Sequence, residues 1–288
     1  MQDRTNKRPT TLKAALESIL TKEELKYLIR AYDIVGDIAI MTIPDELVHK
    51  EKEIADVLLS LHKNINVVCK RDSIHGGEFR TQKLTILAGE DRKETMHKEN
   101  RCTLYLNPET CYFSARSGTE RKRIASLVRP GEDILVMFSG VCPFPLVISK
   151  NSDANEIVAI EKNPDAHAYA LKNIKKNKAE NIRAICGDVH EVIPTLQRRF
   201  DRVIMPLPKT GQDFLELAID ILEPRGTIHF YDFQDADEFS VAVDKIKKIC
   251  KKKSKDLISV KVVVCGQYAP RVNRICVDAV ISKTRKKC

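Results

Sequence analysis

Short apolar runs alternate with amphipathic stretches from about residue 112 onward. The runs fall at 134–138, 157–160, 183–186, 202–205 and 227–231, each the length of a strand buried on both faces. Between them, Ala166, Ala170, Leu171 and Ile174 share one helical face, as do Phe214, Leu217, Ala218, Ile221 and Leu222 at i, i+3, i+4, i+7 and i+8. Strand–helix alternation of this kind predicts an α/β parallel sheet with helices on both faces. The rhythm then breaks. "LISVKVVVCG" and "RICVDAVIS" are separated only by Gln267-Tyr268-Ala269-Pro270, too short for a crossover helix. A hairpin demands antiparallel pairing, so the sheet is expected to carry one reversed strand at its C-terminal end.

Upstream the pattern differs. Strands are predicted at 37–43, 65–69, 84–87 and 101–106, with a helix over 51–62, which makes a small α+β unit. The first thirty residues read as helical through "LKAALESIL" and "KEELKYLIRAY". The expected organisation is a helical segment over 1–32, a small domain over 33–110 and a larger one over 111–288.

Composition narrows the class. The 288 residues are 43% hydrophobic and 31% charged, which suits a globular chain with a substantial core. No apolar stretch approaches the ~20 residues that span a bilayer, and the N-terminus lacks a signal-peptide pattern. A cytoplasmic monomer is expected. Nine cysteines are scattered without a CxxC pair, so reduced thiols are expected rather than a disulfide framework or a bound metal. The net charge of +9 is concentrated in 116–129, 172–178 and 245–255. Any one cluster reads as a solvated helix face; the three together suggest a polyanionic partner. Reversing the charge of Arg121 and Lys122 is then expected to weaken that partner's binding without altering folding.

The stretch "DILVMFSGVCPFPL" has the outline of a nucleotide-binding strand–loop–helix with a single glycine, Gly140, in its loop. Two acidic residues at the ends of the next two strands support a cofactor site. Glu161 ends the first of them, where a carboxylate can accept both hydroxyls of a ribose, and Asp188 comes one strand later, where an adenine amino group could donate. Each also has a plainer reading, Glu161 as a carboxylate at a helix N-terminus and Asp188 as a turn or cap residue. Acidic groups at successive strand ends, with the reversed terminal strand, match the Rossmann-like fold of class I methyltransferases and point to S-adenosylmethionine (SAM).

From about 33 to 283 the chain resembles the archaeal and eukaryotic tRNA guanine-37 N1-methyltransferases. The resemblance is carried by "DIVGDIAIMTIPDEL", "GGEFRTQKLTILAGEDRKETMHKENR", "YFSARSGTER", "MFSGVCPF", "AIEKNPDAHAYALKNIKKNK", "GDVHEV", "DRVIMPLPKTGQDFL", "GTIHFYDF" and "YAPRV". It implies SAM as methyl donor, tRNA as partner through its anticodon stem-loop, and a small domain that helps hold the tRNA. It implies a cofactor site formed by Tyr112, Phe138, Gly140, Cys142, Glu161, Asp188 and Pro206. It also implies a catalytic set of Glu120, Arg80 and Pro206. Three positions depart from the family pattern, which usually has Asp at Val136, Gly at Cys142 and Asn at Pro206. Longer members add an N-terminal domain that checks tRNA shape, and no segment of that size precedes residue 33; acceptance of an isolated anticodon stem-loop is therefore expected.

The chemistry asks for two groups. Guanine N1 keeps its proton at neutral pH, so methyl transfer needs a base for that proton and a cation for the charge left on O6. The resemblance gives Glu120 the first task and Arg80 the second. Without it, Glu120 reads as an acidic residue opening a helix, Arg80 as a surface cation and Tyr112 as a core aromatic. Two rival functions share the pattern: a wyosine-pathway enzyme acting on a tricyclic guanosine or transferring an aminocarboxypropyl group, and a tRNA-binding protein with a decayed SAM pocket.

Overall fold

The computed structural model describes residues 11–73 and 76–283, and the chain divides into two compact units. The first takes the described residues up to Lys98 together with Tyr105–Ala115; the second takes Glu99–Leu104 and the described chain from Arg116 onward. The first ten residues of the helical segment expected over 1–32 lie outside the described residues.

In the first unit, helices α1 (Leu12–Leu16) and α2 (Glu24–Tyr27) precede β1 (Tyr32–Val35), β2 (Ile38–Met41), α3 (Glu51–Leu61), β3 (Val67–Arg71) and β4 (Leu84–Gly89). The sheet runs β1-β2-β3-β4, with β2 and β3 parallel and both outer pairs antiparallel. Helix α3 makes the parallel connection and buries Ile54, Ala55 and Leu58 in a core shared with Leu12, Leu16 and Leu20. Helices of four and five residues cannot persist on their own hydrogen bonds, so this burial is what holds α1. The helix expected across "KEELKYLIRAY" stops at Tyr27, because Tyr32 already belongs to β1. Strand β1 gave no apolar signal since three of its four positions are only half-buried. The ribbon β5 (Thr95–Glu99) and β6 (Cys102–Leu106) comes next; "TMHKE" in β5 buries Thr95 alone, so the pattern showed only its partner.

The second unit contains α4 (Gly118–Ser126), β7 (Ile134–Val136), α5 (Pro143–Asn151), β8 (Ile157–Glu161), α6 (Pro164–Asn177), β9 (Ile182–Cys186), α7 (Val189–Thr195), β10 (Phe200–Met205), α8 (Leu215–Asp220), β11 (Leu222–Asp235), α9 (Phe239–Lys252), β12 (Lys255–Ala269) and β13 (Val272–Lys283). Its sheet order is β12-β13-β11-β10-β7-β8-β9. Strands β7 to β11 run parallel, and β13 is antiparallel to both neighbours, β11 and β12. This is the α/β sheet with one reversed strand that the sequence predicted. The hairpin turn is tighter than the segment 267–270, since Ala269 pairs with Val272 and Arg271 takes φ +66°. Leu135, Val158, Ile160, Val203, Phe230, Val277 and Ala279 are among the side chains of its buried core.

Two amphipathic predictions need correction. In α6 the buried stripe is Ala166, Ala170, Asn173 and Asn177, while Leu171 is exposed. The asparagines are tolerated because their amides are satisfied by backbone: Asn173 Nδ2 donates to Val141 O (3.1 Å), and Asn177 both donates to Thr103 O and accepts from Thr103 N. The helix predicted from 214 to 222 ends at Asp220, and Leu222 starts β11.

Candidate active site

The chain leaves β7 for β8 on one side and returns through β10 on the other. That reversal makes a topological switch point, and ligands of such sheets bind at the C-terminal strand ends beside it. The loop from β7 to α5, the end of β8, the end of β9 and the turn after β10 all lie at this edge.

The loop has few glycines but a glycine-like backbone. Phe138, Gly140 and Cys142 adopt φ of +55°, +56° and +68°. Met137 N donates to Ile204 O and Ser139 N to Ile160 O, which pins the loop to the strands on either side. A side chain in the left-handed region costs roughly 1–2 kcal/mol, so a glycine would suit Cys142 better on backbone grounds alone. Cys142 is fully buried, and burial pushes its thiol up to about 12, so it packs rather than reacts. Val136 is also fully buried, paired between Ile204 and Ala159. Phe138 is half-buried edge-to-face against Phe214, with centroids 4.9 Å apart.

Glu161 is the last residue of β8. Its Oε2 accepts Gly140 N at 2.6 Å and its Oε1 accepts Asn163 N at 2.8 Å. Burial pushes its carboxyl above the ordinary value, partly offset by those backbone donors. The backbone of Lys162 is a third donor to this carboxylate, so about one acceptor position remains for a ligand hydroxyl. That acceptor fits the ribose of SAM. Asp188 caps α7, accepting His190 N at 2.8 Å, and pairs with Lys162 at 2.9 Å; the lysine and the cap hold its carboxyl below the ordinary range. Pro206 succeeds β10 at the centre of a tight turn closed by Leu207 N on Met205 O (2.8 Å).

Glu120 sits in the first turn of α4 yet is only 6% exposed. Arg123 grips it with two bonds of 2.7 Å, Nε to Oε2 and Nη2 to Oε1, and the Tyr231 hydroxyl donates to Oε1 at 2.6 Å. Arg123 also donates to Asp278 (2.6 and 3.2 Å), which in turn meets His229 Nδ1 at 2.6 Å. The far nitrogen of His229 faces Arg202, itself paired with buried Glu132. Strand pairing builds this cluster: His229 lies opposite Asp278 and Tyr231 opposite Cys276. The sequence reading missed Arg123, Tyr231, His229, Asp278, Arg202 and Glu132. The available signal was local alternation, because "IHFY" and "ICVD" place His229, Tyr231, Cys276 and Asp278 on every second position among core-type neighbours.

His229, Cys276 and Asp278 bring their donor atoms within 4.8 Å of one another, a spacing a metal ion could use. Both His229 nitrogens and both Asp278 oxygens already meet hydrogen-bond partners, two of them guanidinium groups, so a dication would have to displace positive charge.

Arg80 and Tyr112 belong to the first unit. Arg80 is left-handed at φ +52°, with its guanidinium carbon 4.7 Å from the Tyr112 ring centroid, and Tyr112 is partly exposed. Arg121 is not a surface cation. It is 2% exposed and bonded through Nε and Nη2 to both oxygens of Glu99, each at 2.5 Å, so reversing its charge would bury unpaired carboxylates. The cluster at 245–255 is likewise largely ion-paired, through Asp232, Asp244, Glu216 and Asp220.

The TRM5/TYW2 methyltransferase domain model matches residues 95–258, and the TYW2 N-terminal domain model matches 12–92. The tRNA (guanine(37)-N(1))-methyltransferase Trm5b of Pyrococcus abyssi is 36% identical over 287 residues, covering 97% of this chain and 83% of that protein. The chain belongs to the TRM5/TYW2 methyltransferase family. Among solved members of the family, the complex of aTrm5 with tRNALeu superposes with a TM-score of 0.81 at 34% identity, covering 94% of this chain and 78% of that one. TYW2 of Methanocaldococcus jannaschii in complex with AdoMet gives 0.70 at 27% identity, covering 88% and 100%.

Proposed function

We propose that this chain methylates N1 of guanosine 37 in tRNA, using SAM. The observation that carries the reading is the pair of fixed carboxylates in the methyltransferase-type unit: Glu161 at the end of β8 and Glu120 clamped on α4. SAM, when bound, supplies an electrophilic methyl on a sulfonium. Glu161 holds the ribose, and the left-handed loop at 138–142 lets backbone approach the ligand. Asp188 and Pro206 border the same edge, Asp188 beside the adenine and Pro206 presenting backbone carbonyl to the extruded base. Glu120 takes the N1 proton, and the ring electron pair so released is what accepts the methyl. Arg80 supports the charge on O6, and Tyr112 packs against the base.

In this reading the small part of the chain, 33–110, helps hold the tRNA and 111–288 performs the transfer. The enzyme is a cytoplasmic monomer that uses no metal ion; no helix among the described residues is long and apolar enough to cross a membrane. The match of 12–92 to a TYW2 N-terminal domain favours one alternative, a tricyclic wyosine intermediate as acceptor. Mass spectrometry of nucleosides from unmodified tRNA incubated with SAM separates the two. N1-methylguanosine is the expected product. Product only from a tricyclic substrate, or a mass increase equal to an aminocarboxypropyl group, would replace the reading.

A further inference from the structure

The buried cluster behind Glu120 contains more charge than a base needs to stay in place. Its side chains come from four elements: Glu120 and Arg123 on α4, Arg202 on β10, His229 and Tyr231 on β11, and Cys276 and Asp278 on β13, with Glu132 just before β7. Arg202 is never deprotonated, so its Nη1 must donate to His229 Nε2, at 2.6 Å. The proton on His229 is thereby assigned to Nδ1, where it is donated to Asp278 Oδ1 at 2.6 Å. Burial pushes His229 below its ordinary value, which keeps it neutral in that tautomer. The Cys276 thiol, held protonated by burial, lies 3.3 Å from the same oxygen. Burial works against a charged Asp278, but His229 and Arg123 outweigh it and hold the carboxyl well below its usual range.

The charges are shared rather than paired off. Arg202, through bonds of 2.7 and 3.1 Å, and the exposed Arg129 both meet Glu132, while Arg123 is divided between Asp278 and Glu120. The lone pairs of Glu120 sum simply. A carboxylate offers about four acceptor positions; Arg123 and Tyr231 fill both on Oε1, and Arg123 fills one on Oε2. One position on Oε2 is left.

We propose that Tyr231, Arg123 and Asp278 are positioning residues for the base, aiming the open lone pair of Glu120 Oε2 at the N1 proton, and that Asp278 shares Arg123 with Glu120 so that the guanidinium is not committed to the base alone. The proposal rests on the assignment of Glu120 as base. In the transfer the N1–H bond breaks and an O–H bond forms on Oε2. The N1 electron pair forms the new N–CH₃ bond as the methyl–sulfur bond breaks and its electrons stay on sulfur. The Phe144 ring, edge-to-face with Tyr231 at 5.9 Å, helps set where that hydroxyl points.

The test is a set of single-turnover rates for Asp278→Asn and Tyr231→Phe, each made in the wild-type protein and in Glu120→Gln. SAM and tRNA affinities and the unfolding midpoint are measured alongside. In the wild-type background each variant is expected to slow transfer about tenfold or more with affinities unchanged, the scale of a misaimed group. In the Glu120→Gln background neither is expected to slow it further. Should Asp278→Asn fail to fold, Tyr231→Phe, which keeps the ring, carries the test. Normal rates in the wild-type background, or equal slowing in both backgrounds, would overturn the positioning role and leave Glu120 as base untouched. A Glu120→Gln enzyme with full rate would overturn the base assignment itself, and the proposal with it.

Discussion

In the proposed site, replacing Glu161 by alanine removes an acceptor for the ribose. Its carboxylate already takes Gly140 N and Asn163 N, one on each oxygen, and the Lys162 backbone as well, and offers about one remaining position to a ligand hydroxyl. A hydrogen bond to a charged group is worth about 1.5–3 kcal/mol before water repays part of it. SAM affinity is therefore expected to fall roughly ten- to hundredfold. Glu161→Gln is expected to be nearly as damaging despite its shape, because one amide cannot accept both backbone donors and its NH₂ must face one of them. Protonation should act in the same direction. Since burial holds the Glu161 carboxyl above its ordinary value, SAM binding is expected to weaken as pH falls toward the raised pKa, earlier than for an exposed glutamate. Isothermal titration with SAM, and with an analogue lacking both ribose hydroxyls, reads the effect. The wild type should lose as much by the analogue as by the mutation, and the mutant should lose nothing further. Binding of SAM by Glu161→Ala within about threefold of wild type would refute the ribose site.

Three further outcomes rest on the same geometry. Arg202→Met leaves Glu132, 4% exposed, with only the exposed Arg129 as its ion-pair partner and His229 Nε2 without its donor, so urea unfolding should show a loss of about 3 kcal/mol; a loss under 1 kcal/mol would mean the pair is not buried as described. Asp37 bonds to Arg92, Thr95 and Asn66, and Arg92 lowers its carboxyl from 3.8 to about 2. Its stabilising share is thus complete above the unfolded value and is lost as pH falls toward about 2, so Asp37→Asn should lower stability at neutral pH and converge with wild type at the acid end; parallel curves would sink this. Binding of tRNA should weaken steeply with salt, and Lys122→Glu, at an exposed position, should weaken it without loss of stability, unlike Arg121→Glu; a flat salt response would argue against a polyanionic partner.

The fold was legible wherever hydrophobic period decides structure. Strands β7, β8 and β10 are buried on both faces and so read as apolar runs, whereas the edge strand β9 buries only Ile182; the hairpin was implied by a linker too short for a helix. Legibility failed where polar groups were buried. Asn173 and Asn177 replace apolar residues in the α6 stripe because backbone carbonyls of distant segments, at Val141 and Thr103, accept from their amides, long-range contacts no local window contains. The site divides in the same way. Glu161 and Asp188 were singled out because strand-end acids have a fixed spacing, and Glu120 through resemblance alone. Arg123 and Asp278 are 155 positions apart in sequence, and their pairing depends on α4 reaching the reversed strand. Arg121 and Arg123 look alike in "TERKR", yet one locks to Glu99 and the other to Glu120.

The central claim is that this protein takes the N1 proton of guanosine 37 with Glu120 and replaces it with a methyl group. Primer extension on an unmodified tRNA transcript reads that directly, because a methyl on N1 blocks the pairing edge and stops reverse transcription at that nucleotide. With SAM and the wild-type protein a stop at position 37 should accumulate. With Glu120→Gln it should form ~10²–10⁴-fold more slowly at neutral pH, and partly recover at higher pH as more guanosine ionises unaided. The absence of any stop from a protein that binds SAM, or a stop formed equally fast by Glu120→Gln at neutral pH, would contradict the account.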